Sequence, residues 1–125
     1  MSTYIDGFVF PLRKADIEAY QVVAKKVASI WKEYGALSYS EFVGDDLQLE
    51  GVQSFTDAIN ATADEVIVFG WVSFPNKQVR DDANKKVPQD SRMHELVAPL
   101  TSTERMIFDA RRMVYGGFKA LVVED

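Results

Sequence analysis

EVIVFGWVSF, residues 65 to 74, is the stretch whose reading decides the fold. It is apolar on both alternating sets of positions and is stopped by Pro75, the pattern of a strand buried on both faces. Such a strand belongs in the middle of a sheet, with material packed above and below it. Downstream, residues 76 to 87 change period and place Val79, Ala83 and Val87 on one side, which predicts a helix that Pro88 ends. Upstream, residues 36 to 43 alternate again and predict a less buried strand, broken by Gly44, Asp45 and Asp46.

Working outward, residues 16 to 34 carry Ile17, Tyr20, Val23, Ala24, Val27, Ile30, Trp31 and Tyr34 at three- and four-residue steps. This predicts a long amphipathic helix with Gly35 as a left-handed cap. Tyr4 to Leu12 reads as a second central strand ending at Pro11. Residues 47 to 63 are polar and without sustained period, apart from a Phe55, Ala58 and Ile59 cluster that suits one turn of helix. Residues 89 to 110 suggest a short helix near His94 to Val97 and a Ser/Thr-rich turn at 101 to 103. A final strand is expected over 111 to 123, with Gly116 and Gly117 marking a bulge or a close backbone approach.

The resulting order, strand, helix, strand, strand, helix, strand, is the ferredoxin-like βαββαβ arrangement of the α+β class, with a four-stranded antiparallel sheet. Two helices cover one face of that sheet. The other is expected to display Phe8, Phe10, Ile67, Phe69, Trp71, Met113 and Tyr115, more contiguous apolar surface than a monomer leaves wet. A second copy of the chain is the expected cover, giving a homodimer.

Composition sets the outer bounds. The 125 residues read as one domain, 1 to 125, and their 47% apolar and 26% charged content is that of a folded chain. No cysteine is present, so disulfides and thiolate chemistry are excluded, and the single histidine, His94, offers no metal cluster. Asp45, Asp46 and Glu50 lack the alternating oxygen ligands of a calcium loop, so no metal is expected. The net charge of -5 opposes a partner held through phosphates, and nucleic acid is therefore disfavoured. Neither a leader segment nor a run of ~20 apolar residues is seen, which suggests a cytoplasmic chain and no membrane span.

Asp6 is the most informative polar residue, because a mid-strand carboxylate beside Phe8 is costly unless paired. It is either an acid or base in a cleft or the partner of Arg111 or Arg112 on the neighbouring last strand. Glu41, on the parity of Tyr39, is the second catalytic candidate. Phe8, Phe69, Trp71, Tyr115 and Arg112 are the candidate ligand-binding residues, with plain core packing as the alternative for the aromatic ones.

The runs YIDGFVFPL (4 to 12), FGWVSFPNKQVRDDANKKVPQDSRM (69 to 93) and FDARRMVYGGFKALVV (108 to 123) resemble the YbaA-like bacterial proteins, a family catalogued as a domain of unknown function. Ile107 and Ala110 depart from the proline and glycine expected there. The resemblance implies a dimeric α+β barrel, two ferredoxin-like sheets packed face to face, with no established activity. Its wider superfamily includes cofactor-free monooxygenases, haem-degrading enzymes, isomerases and stress proteins, and fold alone does not choose among them. The leading reading is a small homodimer that binds a small molecule in an aromatic cavity, with monooxygenase-like or isomerase-like chemistry as the enzymatic version and no cofactor. Two alternatives stand beside it. One is single-stranded RNA binding through the VFGWVSF run (68 to 74), which matches the heart of an RNP1 motif without its basic start; the other is a purely structural or regulatory dimer.

Overall fold

The computed structural model describes residues 3–102 and 106–124. Four strands, β1 (Tyr4–Arg13), β2 (Ser38–Val43), β3 (Glu65–Phe74) and β4 (Val114–Lys119), form one antiparallel sheet in the order β2-β3-β1-β4. This is the ferredoxin-like order, and the two doubly apolar strands take its centre. Helix α1 (Ile17–Glu33) follows β1, and α3 (Lys77–Lys86) follows β3. Gly35, at φ 112°, closes α1 in the left-handed region, with the Ala36 N–H donating back to the Trp31 carbonyl. The Asn76 side chain caps α3 by accepting from the Val79 N–H.

Two shorter helices fill the connections. The Phe55, Ala58 and Ile59 cluster makes α2 (Phe55–Ala58), capped by Ser54, and α4 (Ser91–Val97) is capped by Asp90. Pro88 does not end the chain's helical course after α3; it sits inside a 3-10 turn, Val87–Gln89, that leads to α4. The expected turn at 101 to 103 is described only to Ser102, and Thr103 lies outside the described residues.

The register decides what each face carries. Phe8 lies opposite Gly70, Phe10 opposite Val68 and Asp6 opposite Val72. Asp6, Phe8, Phe10 and Leu12 therefore face the helices with Val68, Val72 and Phe74, and these residues form the core with Ala36 and Ala83. Tyr39 and Glu41 of β2 and Tyr115 of β4 share that face by pairing with Val72, Gly70 and Phe8. The opposite face holds Ile5, Val9, Phe42, Phe69, Trp71, Val114 and Phe118.

This corrects the expected open face. Phe8, Phe10, Met113 and Tyr115 lie on the helix side, and only Ile67, Phe69 and Trp71 of the expected set lie on the other. Both parities of β1 and β3 are apolar, so side-chain pattern could not tell which parity of one strand joins which parity of the next; a one-residue slip reverses every assignment. The last strand is also shorter than expected. Arg111 and Arg112 belong to a 3-10 turn, Ala110–Arg112, outside the sheet, and the chain leaves the sheet after Lys119.

Gly116 and Gly117 pair without a bulge, opposite Gly7 and Asp6. Their meaning is close approach. A Cβ on Gly117 would crowd the Tyr4 hydroxyl and an Arg80 guanidinium nitrogen, so glycine leaves room for those side-chain ends to lie over β4 where they do.

Candidate functional site

Gly70 opens the space from which the site is built. A Cβ there would fall 2.5 Å from the Phe8 ring, so its absence lets that ring lie across β3 on the helix side. Phe8 stacks with Tyr115 at 6.0 Å between centroids on one side and leans toward Tyr39 at 6.4 Å on the other. Above this floor α1 contributes Tyr20, Val23, Ala24, Val27 and Trp31, while Met93, Val97, Leu100, Phe108 and Met113 come from α4 and the segment beyond it. Together they line a partly open cavity of about 190 Å³ with almost wholly apolar walls.

Each end of the cavity is backed by a carboxylate that holds tyrosine hydroxyls. At the β4 end, Asp6 is 0% exposed and accepts from Tyr115 Oη at 2.8 Å, Arg80 Nε at 2.8 Å and Asn84 Nδ2 at 2.9 Å. Arg80 and Asn84 stand one turn apart on α3, the spacing that brings two side chains to one target. Burial, aided by the bond to Asp6, pushes the Tyr115 hydroxyl well above the ordinary phenol range.

At the β2 end, Glu41 accepts from Tyr20 Oη at 2.5 Å and from Tyr39 Oη at 2.8 Å. Among the described residues no Lys, Arg or His pairs with Glu41. Burial raises its carboxyl above the usual glutamate value, and the two tyrosine bonds only partly oppose that shift. Burial and the neighbouring Glu41 also push both tyrosine hydroxyls far upward, so they remain protonated donors. Glu41 itself borders a neighbouring space with Leu12, Ile17, Gln21 and Val68, and Tyr20 and Ala24 line both spaces.

Of the residues singled out from sequence, Asp6, Glu41, Phe8 and Tyr115 gather at or directly behind this cavity. Phe69 and Trp71 do not, because their parity puts them on the far side of the sheet. There Trp71 stacks on Phe42 at 5.3 Å and Phe69 meets Phe55 edge-on at 5.8 Å. Arg112 is also elsewhere: it binds Glu65 at 2.6 and 3.0 Å and donates to the Asn60 carbonyl, which lowers the Glu65 carboxyl below its usual range. The expected partner of Asp6 is corrected accordingly, from Arg111 or Arg112 to Arg80. Since β4 starts only at Val114, its register sets Gly117 beside Asp6, and the cation arrives from α3 instead.

Sequence reasoning passed over Arg80, Asn84, Tyr20 and Tyr39. Arg80 and Asn84 had a readable signal, an i, i+4 polar pair beside the inward Val79 and Ala83. Tyr20 had only its place on the inward stripe of α1, which equally suits a core residue. Among the described residues no group of three or more metal-ligating side chains is assembled, and no helix is long and apolar enough to cross a membrane.

Residues 3–110 match the family described as Protein of unknown function (DUF1428). The uncharacterized protein YbaA of Escherichia coli K12 is 40% identical over 121 residues, covering 97% of this chain and 98% of that protein. The same holds for YbaA of Shigella flexneri. Among solved structures, a nipsnap family protein of unknown function from Agrobacterium tumefaciens superposes with a TM-score of 0.55 at 13% identity, covering 94% of this chain and 87% of that one. A dimeric ferredoxin-like protein from an uncultured marine organism gives 0.50 at 10% identity, over 100% and 99% of the two chains. These two likenesses establish the fold.

Proposed function

We propose that this chain, which belongs to the DUF1428 family, is a homodimeric binding protein for a small, mainly apolar molecule held between the sheet and α1. The observation that carries this reading is the aromatic cavity with its two tyrosine-bound carboxylates. Its volume of about 190 Å³ exceeds the ~150 Å³ of an apolar cavity that accommodates benzene. An apolar hollow of this size beside the core is a place where a small apolar molecule would remove hydrophobic surface from water.

Toluene is a suitable first probe. It should raise the thermal midpoint of the protein at millimolar concentration, because a ligand of the folded state stabilises by mass action. Val27→Trp, which fills the cavity from α1, should abolish that rise. An equal rise in both proteins would place the binding elsewhere and remove the basis of the proposal.

The dimer rests on the opposite face. Phe42 is 58%, Phe69 41%, Val114 60% and Phe118 57% exposed, and no charged side chain interrupts the centre of this surface. Packing two such faces together would bury about 800 Å² on each partner, the size of a stable interface. A ferredoxin-like protein of similar fold is described as dimeric, which supports self-association. Phe69→Glu should give monomer in sedimentation, since an unpaired charge in that interface costs several kcal/mol, and wild type that sediments as monomer at high micromolar concentration would contradict it. The same face argues against RNA. Phe69 and Trp71 do share it, yet no Lys or Arg lies among its central residues to meet phosphates.

A further inference from the structure

The cavity lining includes three tyrosines, Tyr20, Tyr39 and Tyr115, whose hydroxyl protons are all occupied. A tyrosine hydroxyl has one proton, and a carboxylate can only accept. The Tyr20 and Tyr39 protons are both directed at Glu41, and the Tyr115 proton is directed at Asp6. What these three side chains can offer a ligand is oxygen lone pairs, made more basic by donation to a carboxylate. Among the described residues, the one lining side chain with an N–H that makes no hydrogen bond is Trp31, which also borders the neighbouring groove of Pro88 and His94. Among the described residues no Lys, Arg or His lines the cavity, and the Glu41 carboxylate behind it opposes a bound anion.

From this arrangement, and resting on the reading of the cavity as a ligand site, we propose that it selects small uncharged aromatic molecules carrying a hydrogen-bond donor, phenols being the simplest class, over anions and over pure acceptors. A phenol O–H would donate to a tyrosine oxygen while its ring lies against Phe8 and Val72. A carboxylate would be desolvated with no lining cation among the described residues to meet it, and an aldehyde or ether would set its lone pairs against those of the tyrosine oxygens.

Four probes of one shape test the proposal: p-cresol, toluene, p-tolualdehyde and p-toluate, each titrated into wild-type protein with methionine methyl signals, Met93 and Met113 included, as the NMR reporter. The expected order is p-cresol tightest, by about two- to tenfold over toluene, the worth of one net hydrogen bond, with p-tolualdehyde weaker than toluene and p-toluate not binding. In Glu41→Gln the amide must donate to one tyrosine oxygen, which frees that hydroxyl's proton, so the preference of p-cresol over p-tolualdehyde should shrink severalfold. Toluene or p-tolualdehyde binding as tightly as p-cresol to wild type would overturn the donor preference and leave the cavity reading intact. Binding of none of the four would overturn the cavity reading itself. Because the wild-type panel alone decides, a Glu41→Gln protein that failed to fold would not rescue the proposal.

Discussion

The two ends of the cavity hold the same chemistry in different electrostatic settings. At one end the Asp6 carboxylate, 0% exposed, is satisfied three times over, by Arg80, Asn84 and Tyr115. At the other, the half-buried Glu41 has two tyrosine hydroxyls and, among the described residues, no cation. A buried charge with a well-oriented cation locks its surroundings, because breaking the pair strands the remaining charge. A buried charge held by neutral donors alone is strained toward its protonated form and can change state at smaller cost. The Asp6 end is thus the anchor that fixes β1, β4 and α3 together, and the Glu41 end is where the site is adjustable.

The comparison breaks most visibly if the anchor is cut. Arg80→Ala should cost about 3 kcal/mol in denaturant melts, the lower part of the range for losing one partner of a buried pair, since Asn84 and Tyr115 remain. Loss of only a few tenths would mean that water or another cation already serves Asp6. A smaller effect is expected for Tyr115→Phe, about 1.5 kcal/mol, the value of a hydrogen bond to a charged group. Glu41→Gln should stay within about 1 kcal/mol of wild type at neutral pH, because removing an uncompensated buried charge offsets the disturbed tyrosine bonds. If Glu41→Gln proved as damaging as Arg80→Ala, the two ends would be electrostatically alike and the contrast would vanish.

The smallest effect is the most diagnostic. Glu41 has a folded-state pKa raised above its unfolded value, so its ionisation weighs against the fold. Below the ordinary glutamate range, about 4.3, the group is protonated in both states and carries no penalty. As pH rises through the folded value, the relative stability is lost. Asp90 behaves oppositely: hydrogen bonds from Arg92 and Tyr34 hold it low, so its contribution is present above its unfolded value and lost on acidification. Both proteins share Asp90, and its effect cancels in a comparison. Wild type should therefore lose stability relative to Glu41→Gln as pH rises from below the ordinary glutamate value through the raised folded value, in urea melts at matched ionic strength. Parallel pH profiles would show Glu41 to be solvated.

How far these features were legible in the sequence differs by element. The doubly apolar runs of β1 and β3 named the central strands, and the 3.6-residue stripe from Ile17 to Tyr34 named α1, because burial on a face leaves a period. The same double apolarity concealed the register, which is why Phe8 and Phe69 were expected on one face and lie on two. Asp6 was conspicuous because a carboxylate inside an apolar run needs a partner. The identity of that partner was not readable, since Arg80 approaches from α3 across a tertiary contact of 74 residues in sequence. Glu41 stood out less, as a charged residue on an alternating strand ordinarily faces water. Only the packing of α1 over β2, which delivers Tyr20 to it, makes its position unusual. Gly117 was expected to mark a bulge or a close approach and provides the close approach, whereas Gly70 drew no reading of its own although it makes room for the Phe8 ring.

The most direct test is to locate a bound probe. Crystals of the protein equilibrated with p-cresol should show its ring in contact with Phe8 and Val72, between the Tyr39 and Tyr115 side chains, with the hydroxyl within hydrogen-bond distance of a tyrosine oxygen and the sheet faces of two copies packed through Phe69. Density for p-cresol only in the space beside Leu12 and Gln21, or only on the outer sheet face, with the cavity collapsed around Phe8, would contradict the account.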